Sequence, residues 1–227
     1  MLKINIAVDG PAGAGKSTAA KGVASRLGLK YLDTGAMYRA ITWKAILEGI
    51  DFEQPLKVAN LAAKTLLSVE KGPEGSNLIY VDGVNVTREI RTPVVNQNVS
   101  LVARIPEVRR IMVAQQQKIA QDSSVVMDGR DIGTNVLPYA DLKFFLTASL
   151  EERAHRRYLE LKEQGYNVIL EEVVKEIAMR DKIDKERQTS PLIEAEDAIL
   201  INTTYMDIEG VIAEMINYVN KLKVGRI

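Results

Sequence analysis

The sequence contains no cysteine and a single histidine, His155. The lack of cysteine excludes disulfide frameworks, thiolate metal sites and thiol nucleophiles, and one histidine cannot build a multi-histidine metal site. The 30 basic and 30 acidic side chains give a formal net charge of zero, which argues against a protein that coats nucleic acid or an anionic membrane. Aromatic residues make up only 5% of the chain, so a nucleic-acid track with stacking aromatics has little support.

Long apolar runs are missing as well. No stretch approaches about eighteen uninterrupted apolar residues, and Met1 to Lys3 lead into a short strand pattern instead of the apolar core of a signal peptide. We therefore expect a cytoplasmic monomer that binds neither membranes nor nucleic acid. The 227 residues, 46% of them hydrophobic, fit one globular domain that carries an insert.

Short apolar runs predict the strands of a buried sheet. Five such runs are present: Ile4 to Val8, Lys30 to Leu32, Val125 to Met127, Leu142 to Leu146 and Ala198 to Ile201. Helical periods fill the gaps, most clearly from Ile208 to Leu222, where apolar residues recur at three- and four-residue intervals. This alternation favours an α/β fold with a doubly wound parallel sheet of about five strands and helices on both faces.

One segment breaks the alternation. Leu78 to Val81, Asp82-Gly83 and Val84 to Val86 form the pattern of a small antiparallel hairpin with a two-residue turn. We predict that this hairpin belongs to an insert spanning approximately residues 60–120, in which Pro106 begins a new helix.

A glycine-rich loop follows the first predicted strand and has the P-loop pattern of Gly, four residues, then Gly-Lys-Ser/Thr. Its glycines allow consecutive backbone N–H groups to turn toward a phosphate at the positive end of the next helix. We expect Lys16 to reach the outer phosphates and the Ser17 hydroxyl to bind magnesium. The predicted nucleoside triphosphate site comprises Gly10, Gly13, Ala14, Gly15, Lys16, Ser17 and Thr18.

The P-loop (Gly10 to Thr18) predicts a triphosphate site but does not predict the reaction that the triphosphate undergoes. The chain lacks the Asn-Lys-x-Asp stretch with which GTPases read guanine. A kinase for another small acceptor and an NTP-dependent switch or binding protein stay open as alternatives. A nucleic-acid-stimulated ATPase has the least support, given the balanced charge and low aromatic content.

Charged residues follow two further predicted strands, at Asp33 to Arg39 and at Asp128 to Asp131. The carboxyl ends of parallel strands share one sheet edge, so these residues should lie beside the P-loop. Asp128 could hold magnesium or its water, and Arg130 offers a planar fork for a phosphate. The alternative is a purely structural pair between Asp128 and Arg130.

Three arginines lie at helical spacing further along the chain, at Arg153, Arg156 and Arg157. Like charges so placed repel by roughly 0.2 to 0.5 kcal/mol per pair, and a bound triphosphate would reverse that cost. The alternative is an exposed helix face on which Glu152 and Glu160 already neutralise Arg156.

Together these segments resemble the bacterial cytidylate kinase family over almost the whole chain. The resemblance rests on Gly10 to Thr18, Asp33 to Arg39, Ile90 to Thr92, Asp128 to Gly133, Glu152 to Arg157, Arg180 to Arg187 and Ser190 to Leu192. It implies a nucleoside monophosphate kinase that transfers the γ-phosphate of ATP to CMP or dCMP with Mg²⁺. It also implies an acceptor-binding insert and a mobile helical lid over approximately residues 150–187.

The resemblance further implies roles for individual residues. Arg39, Arg130 and Arg187 would bind the CMP phosphate; Ser100, Arg109 and Asp131 would read cytosine; Arg180 and Asp184 would hold the ribose; and Thr34 would line the same site. Lys16 and Arg130, with Arg153 and Arg157 from the lid, would stabilise the transferring phosphate, and the lid arginines would also contact ATP. Asn202 stands where many relatives carry an acid, which leaves the donor-base preference open.

Overall fold

The computed structural model describes residues 3–224, so Met1 and Leu2, which entered the signal-peptide argument, lie outside the described residues. Within this range the chain forms eight strands: β1 (Asn5–Asp9), β2 (Lys30–Asp33), β3 (Leu67–Lys71), β4 (Asn77–Val81), β5 (Val84–Asn85), β6 (Val125–Asp128), β7 (Leu142–Thr147) and β8 (Ile199–Asn202). The same range forms eight α-helices: α1 (Lys16–Leu27), α2 (Thr34–Leu47), α3 (Pro55–Lys64), α4 (Pro93–Ala103), α5 (Pro106–Asp122), α6 (Leu150–Glu163), α7 (Leu170–Glu186) and α8 (Ile208–Val224).

The five predicted strands form one parallel sheet in the order β2-β6-β1-β7-β8. This confirms the prediction of a doubly wound α/β fold with five parallel strands. The chain order reverses on either side of β1, which makes the carboxyl end of β1 the point where a ligand crevice is expected. The register aligns Val8 and Asp33 with Asp128, so the charged ends of three adjacent strands meet at one edge.

Helices cover both faces of the sheet because its central strands are apolar on both sides. On one face, α1 and α8 pack through Val23, Ile212 and Met215 onto strand residues such as Val8 and Phe144. On the other face, helices α2 to α5 bury the second core cluster, in which Met37, Ile41 and Val108 meet the sheet. These two layers bury both faces of the sheet.

The predicted hairpin is present as β4 and β5, and it belongs to a three-stranded antiparallel sheet in the order β3-β4-β5. Strand β3 did not stand out in the sequence because its residues alternate between partly buried and exposed and include no continuous apolar run. The small sheet packs on α2, where Ile79 and Val81 join Ala36 and Ala40 in a core cluster.

Prolines mark the start of helices in this region. Pro93 and Pro106 occupy the first turns of α4 and α5, so the prediction of a new helix at Pro106 is confirmed. Further along, α6 and α7 pack together through Leu161, Val173 and Ile177, and this cluster includes Ala12 of the P-loop. The helices of residues 3–224 are all too short or too polar to cross a membrane.

Candidate active site

The P-loop joins β1 to α1 in the predicted strand, loop, helix order. Gly10, Gly13 and Gly15 all have positive φ, at 143°, 76° and 82°. At Gly10 a Cβ atom would stand 1.9 Å from the Leu146 carbonyl oxygen, so this turn requires glycine. The loop therefore presents its backbone N–H groups at the amino end of α1, where anions are favoured.

Lys16 is 5% exposed, and its Nζ donates to the Pro11 carbonyl oxygen at 2.7 Å. Burial and then Arg130 lower the pKa of Lys16 well below its usual range, although Asp128 acts in the opposite direction. A phosphate placed in the loop would favour the charged ammonium and offer it a better acceptor than a carbonyl. The Lys16 side chain therefore lies against the P-loop, where it would contact a bound phosphate.

Asp128 ends β6 at the centre of a small hydrogen-bond network. It accepts from the Ser17 hydroxyl at 2.6 Å and from the Tyr31 hydroxyl at 2.8 Å. Burial, followed by the charge of Asp33, raises the pKa of Asp128 from 3.8 to about 6. A hydroxyl and a carboxylate side by side at the end of the P-loop are hard oxygen donors, and Mg²⁺ takes one or two such protein ligands besides phosphates and water. These residues therefore fit the predicted magnesium site.

We expect Asp128→Asn to raise the free energy of unfolding at pH 7.5 by up to about 3 kcal/mol, because a raised pKa means that the site disfavours the ionised carboxylate. Below the pKa of the unfolded chain, Asp128 is protonated in both states and does not destabilise the folded protein. As pH rises through about 6, the buried carboxyl must ionise, and the folded protein loses stability. The gain of the Asn variant should therefore shrink between pH 7.5 and pH 4.5 in urea titrations.

Asp82→Asn is the matched control of opposite sign, because the Lys44 hydrogen bond lowers the pKa of Asp82. That substitution should destabilise the protein at pH 7.5 and lose its effect as pH falls. An Asp128→Asn gain that stays constant with pH would contradict the assignment of a raised pKa.

A cavity of about 510 Å³ opens beside the P-loop at the carboxyl edge of the sheet. Its basic lining residues are Lys16, Arg39, Arg91, Arg109, Arg130, Arg156, Arg157, Arg180 and Arg187. Its acidic lining residues are Asp33, Asp128, Asp131, Glu160, Glu176 and Asp184. Basic groups outnumber acidic ones, so the cavity suits a strongly anionic ligand.

Two buried carboxylates, Asp131 and Asp184, pair with three of the arginines that line the cavity. Asp184 accepts from Arg130 Nε at 2.8 Å. Burial alone would raise the pKa of Asp184, but Arg130, Arg180 and Arg187 outweigh that effect and lower it. Asp131 pairs with Arg109 Nη2 and lies 3.3 Å from Arg187 Nη2. The alternative of a structural ion pair between Asp128 and Arg130 is wrong, because Arg130 pairs with Asp184.

Asp33 is the centre of a third group of polar contacts at the cavity. Its carboxylate caps α2 through the Ala36 N–H at 2.8 Å and lies 3.2 Å from Arg91 Nη2 and 3.5 Å from Arg39 Nη1. Although burial favours the neutral acid, Arg39 and Arg91 lower the pKa of Asp33. The side chain of Asn96 accepts from Arg39 Nε at 3.2 Å. These contacts aim two guanidinium groups along the cavity wall.

Several buried polar atoms around the cavity have no hydrogen-bond partner among the described residues. They are Tyr38 Oη, Arg39 Nη1, Arg109 Nε and Arg180 Nε. Burial raises the pKa of Tyr38 to about 12, and burial together with Arg130 lowers the pKa of Arg180 to about 10. Buried groups of this kind usually have partners, so their convergence on one cavity indicates a ligand that supplies them.

The three arginines of the predicted lid differ from one another. Arg156 and Arg157 line the cavity, whereas Arg153 is buried, donates to the Ala12 carbonyl oxygen and lies 2.6 Å from Asp181. Asp181 in turn accepts from the Ala12 N–H at 3.2 Å, so α6 and α7 clasp the P-loop. Glu152 does pair with Arg156, but Glu160 pairs with Arg157 instead, at 2.8 Å.

The predicted acceptor residues all line the cavity, together with most of the predicted donor residues. Those brought together are Gly13, Gly15, Lys16, Ser17, Thr18, Thr34, Arg39, Ser100, Arg109, Asp128, Arg130, Asp131, Arg157, Arg180, Asp184 and Arg187. Gly10, Ala14 and Arg153 lie outside its lining. Ala14 instead faces a neighbouring cavity of about 300 Å³, which Arg156, Thr203 and Met206 also line.

The polar residues at the site that were not given a role from the sequence include Asp9, Tyr31 and Asp181, together with Arg91 and Asn96 of the cavity lining. Asp9 directly follows the first apolar run, and a carboxylate at that position could have been singled out on the same ground as Asp128. Tyr31 lies inside a strand pattern and Asp181 inside a helix pattern, so neither carried a local signal.

A parallel α/β sheet whose edge carries a P-loop, with a cluster of arginines facing it across one cavity, defines the class of P-loop nucleotide kinases. A family model described as cytidylate kinase matches residues 6–221. A cytidylate kinase of Desulforamulus reducens is 53% identical over 218 residues, covering 96% of this chain and 97% of the relative. One of Caldanaerobacter subterraneus is 52% identical over 226 residues, covering 100% and 99%. The chain belongs to the cytidylate kinase family.

One solved structure shares the fold. A crystal structure of an uncharacterized protein from Eubacterium ventriosum matches with a TM-score of 0.52 at 12% identity, covering 97% of this chain and 99% of that protein. At so low an identity the match concerns the arrangement of the sheet and helices alone.

Proposed function

We propose that this protein transfers the γ-phosphate of ATP to CMP or dCMP, giving ADP and CDP or dCDP. The observation that carries the proposal is that P-loop residues and the arginines of α2, α7 and the segment after β6 line the same cavity. Membership of the cytidylate kinase family supports the choice of both substrates.

The donor triphosphate would lie on the P-loop, with its outer phosphates at Lys16. Gly10, Gly13, Ala14, Gly15, Ser17 and Thr18 complete the proposed donor contacts. Ser17 and Asp128 would hold Mg²⁺, directly or through water, and the ion would neutralise phosphate charge and orient the oxygens. We place the donor base in the second cavity, which is lined by Arg156 and by the apolar residues Met206 and Val211.

The acceptor would lie along the arginine wall. Arg39, Arg130 and Arg187 would bind its phosphate, and the ribose would contact Arg180 and Asp184. Ser100, Arg109 and Asp131 would read the cytosine edge, with Thr34 lining the same pocket. The unpartnered Nε atoms of Arg109 and Arg180 support this placement because the acceptor would supply hydrogen-bond acceptors to both.

Transfer between two phosphates needs no general base, since the attacking oxygen is already anionic near neutral pH. ATP carries about four negative charges and CMP about two, so two charges removed by magnesium leave about four at the moment of transfer. Lys16, Arg39, Arg130 and Arg187 match that charge. Arg157 would join from the lid, and Arg153 would join it by exchanging its contacts with Ala12 and Asp181 for the phosphate. The lid would also exclude water that would otherwise hydrolyse ATP.

We also propose that one kinase domain carries an acceptor-binding insert at approximately residues 60–120 and a lid at approximately residues 150–187. The three-stranded sheet with α4 and α5 supports the insert, and the clasp of α6 and α7 on Ala12 supports the lid. One chain supplies every proposed contact, which fits a monomer. We propose the cytoplasm, where ATP is available, as its compartment.

The test is ADP release measured with ATP, Mg²⁺ and each nucleoside monophosphate in turn. We expect rapid release with CMP and dCMP, slower release with UMP, little with purine monophosphates, and none when EDTA removes the metal. ATP consumption that does not depend on an added nucleotide would instead identify an NTP-dependent switch. Equal rates with unrelated small acceptors would show that the protein is a kinase with a different acceptor specificity.

A further inference from the structure

Asp9 is a buried carboxylate at the junction between the donor and acceptor sides of the site. It is the last residue of β1 and directly precedes Gly10, where the P-loop begins. Asp9 is only 5% exposed, and it lines neither cavity. Phosphate binding and transfer as described above do not use it, so its burial at this position needs an explanation.

Both oxygens of Asp9 bind main-chain N–H groups of one distant segment. Oδ1 accepts from the Ile132 N–H at 2.8 Å, and Oδ2 accepts from the Gly133 N–H at 2.7 Å. Burial raises the pKa of Asp9 to about 6, although these two N–H groups act to lower it. The carboxylate is therefore mostly ionised at pH 7.5 and able to accept at both oxygens.

The segment that Asp9 holds continues from Asp131, whose side chain contacts the acceptor arginines. Ile132 and Gly133 begin a π-helical turn, Ile132–Val136, and the Asp131 carbonyl oxygen accepts from the N–H groups of Asn135 and Val136. The backbone on the carboxyl side of Asp131 is thus fixed by Asp9 and by this turn. The Asp131 carboxylate then lies between Arg109 and Arg187.

We propose that Asp9 is a positioning residue for acceptor recognition: by holding the N–H groups of Ile132 and Gly133, it sets the orientation of the Asp131 carboxylate. The inference rests on the proposed function. It ties the strand that enters the P-loop to the residue that reads the acceptor base. A loss of Asp9 therefore changes acceptor selection more than donor binding.

The chemistry of the base makes this selection measurable. Cytosine presents an exocyclic amino donor at the position where uracil presents a carbonyl acceptor. A correctly oriented Asp131 carboxylate accepts from the amino group of CMP and repels the carbonyl of UMP. A misaligned carboxylate loses part of both effects, so the preference for CMP over UMP falls.

The experiment compares Asp9→Asn, Asp9→Ala and wild type at pH 7.5, with CMP, UMP and ATP each varied in turn. For Asp9→Asn we expect a rise of about tenfold in KM for CMP and a similar fall in the CMP-to-UMP ratio of kcat/KM. KM for ATP should stay within about twofold, the range expected when no donor contact is lost. Asp9→Ala removes both acceptors and should show larger changes in the same direction.

Asp141→Asn is the matched control, because the Asp141 carboxylate accepts the Asn5 N–H at 2.7 Å at the opposite end of β1. It should leave the CMP-to-UMP ratio unchanged. The ratio does not depend on how much enzyme is folded, so a loss of stability cannot imitate the expected result. An unchanged ratio in both Asp9 variants, or a rise in KM for ATP equal to that for CMP, would overturn the inference. Failure of the proposed function would show separately, as absence of CDP with wild type.

Discussion

Replacement of Lys16 by alanine is expected to lower kcat by about 10³-fold, the scale seen when a charge-stabilising donor is removed from a transferring group. Lys16 is buried at the end of the P-loop, and its ammonium would move from the Pro11 carbonyl to the outer phosphates. The acceptor contacts lie elsewhere on the cavity wall, so CMP binding measured by calorimetry should change by less than about threefold.

Lys21→Ala is the control for Lys16, because Lys21 lies on the same helix and its Nζ is 3.9 Å from a largely exposed Glu74 carboxylate. It should keep normal turnover. If Lys16→Ala retained turnover near that of wild type, Lys16 would not contact the transferring phosphate. If CMP binding fell in parallel with kcat, the substitution would have disturbed the whole cavity.

The second large effect is expected for Arg130→Met, which should lower kcat/KM for CMP by about 10² to 10³-fold. The substitution removes a guanidinium that faces the cavity and leaves the Asp184 carboxylate without its 2.8 Å partner. Asp184 would keep only its weaker interactions with Arg180 and Arg187, so its negative charge would repel the acceptor phosphate more strongly. KM for ATP should change little, because the proposed donor contacts lie on the P-loop and the lid.

Arg104→Met tests whether any arginine-to-methionine change has this effect, since Arg104 pairs at 3.2 Å with Glu53 on the exposed surface. It should retain wild-type kinetics. Thermal unfolding of both variants separates loss of folded protein from loss of function. Unchanged CMP kinetics in a folded Arg130→Met protein would make Arg130 a structural partner of Asp184 alone.

Much of the fold could be predicted because the signals are local. Five apolar runs specified the five parallel strands, and the Asp82-Gly83 turn specified the hairpin. The P-loop could be located for the same reason, since its glycine spacing reflects a backbone shape that other residues cannot adopt. The acceptor residues were predicted by resemblance to a family. Strand order explains why Thr34, Arg130 and Asp131 share the cavity, whereas Ser100, Arg109, Arg180 and Asp184 reach it through the packing of α4, α5 and α7.

The partners of the charged groups could not be predicted, because they depend on how distant segments pack. Arg130 binds Asp184 across 54 positions of sequence, and Asp9 binds Gly133 across 124. Even within one helix the pattern was ambiguous: Glu160 could reach Arg156 or Arg157, and it pairs with Arg157. Strand β3 was missed because a half-exposed edge strand has little apolar character.

Placing the arginines of the cavity on carboxylates has a thermodynamic consequence for substrate capture. Asp33, Asp131 and Asp184 already restrict the rotamers of Arg39, Arg91, Arg109, Arg130 and Arg187 before any nucleotide arrives. The loss of side-chain entropy, about 0.5 to 1.5 kcal/mol for each long side chain, therefore occurs during folding. An incoming nucleotide meets a preorganised surface, and more of its intrinsic interaction energy is retained as affinity.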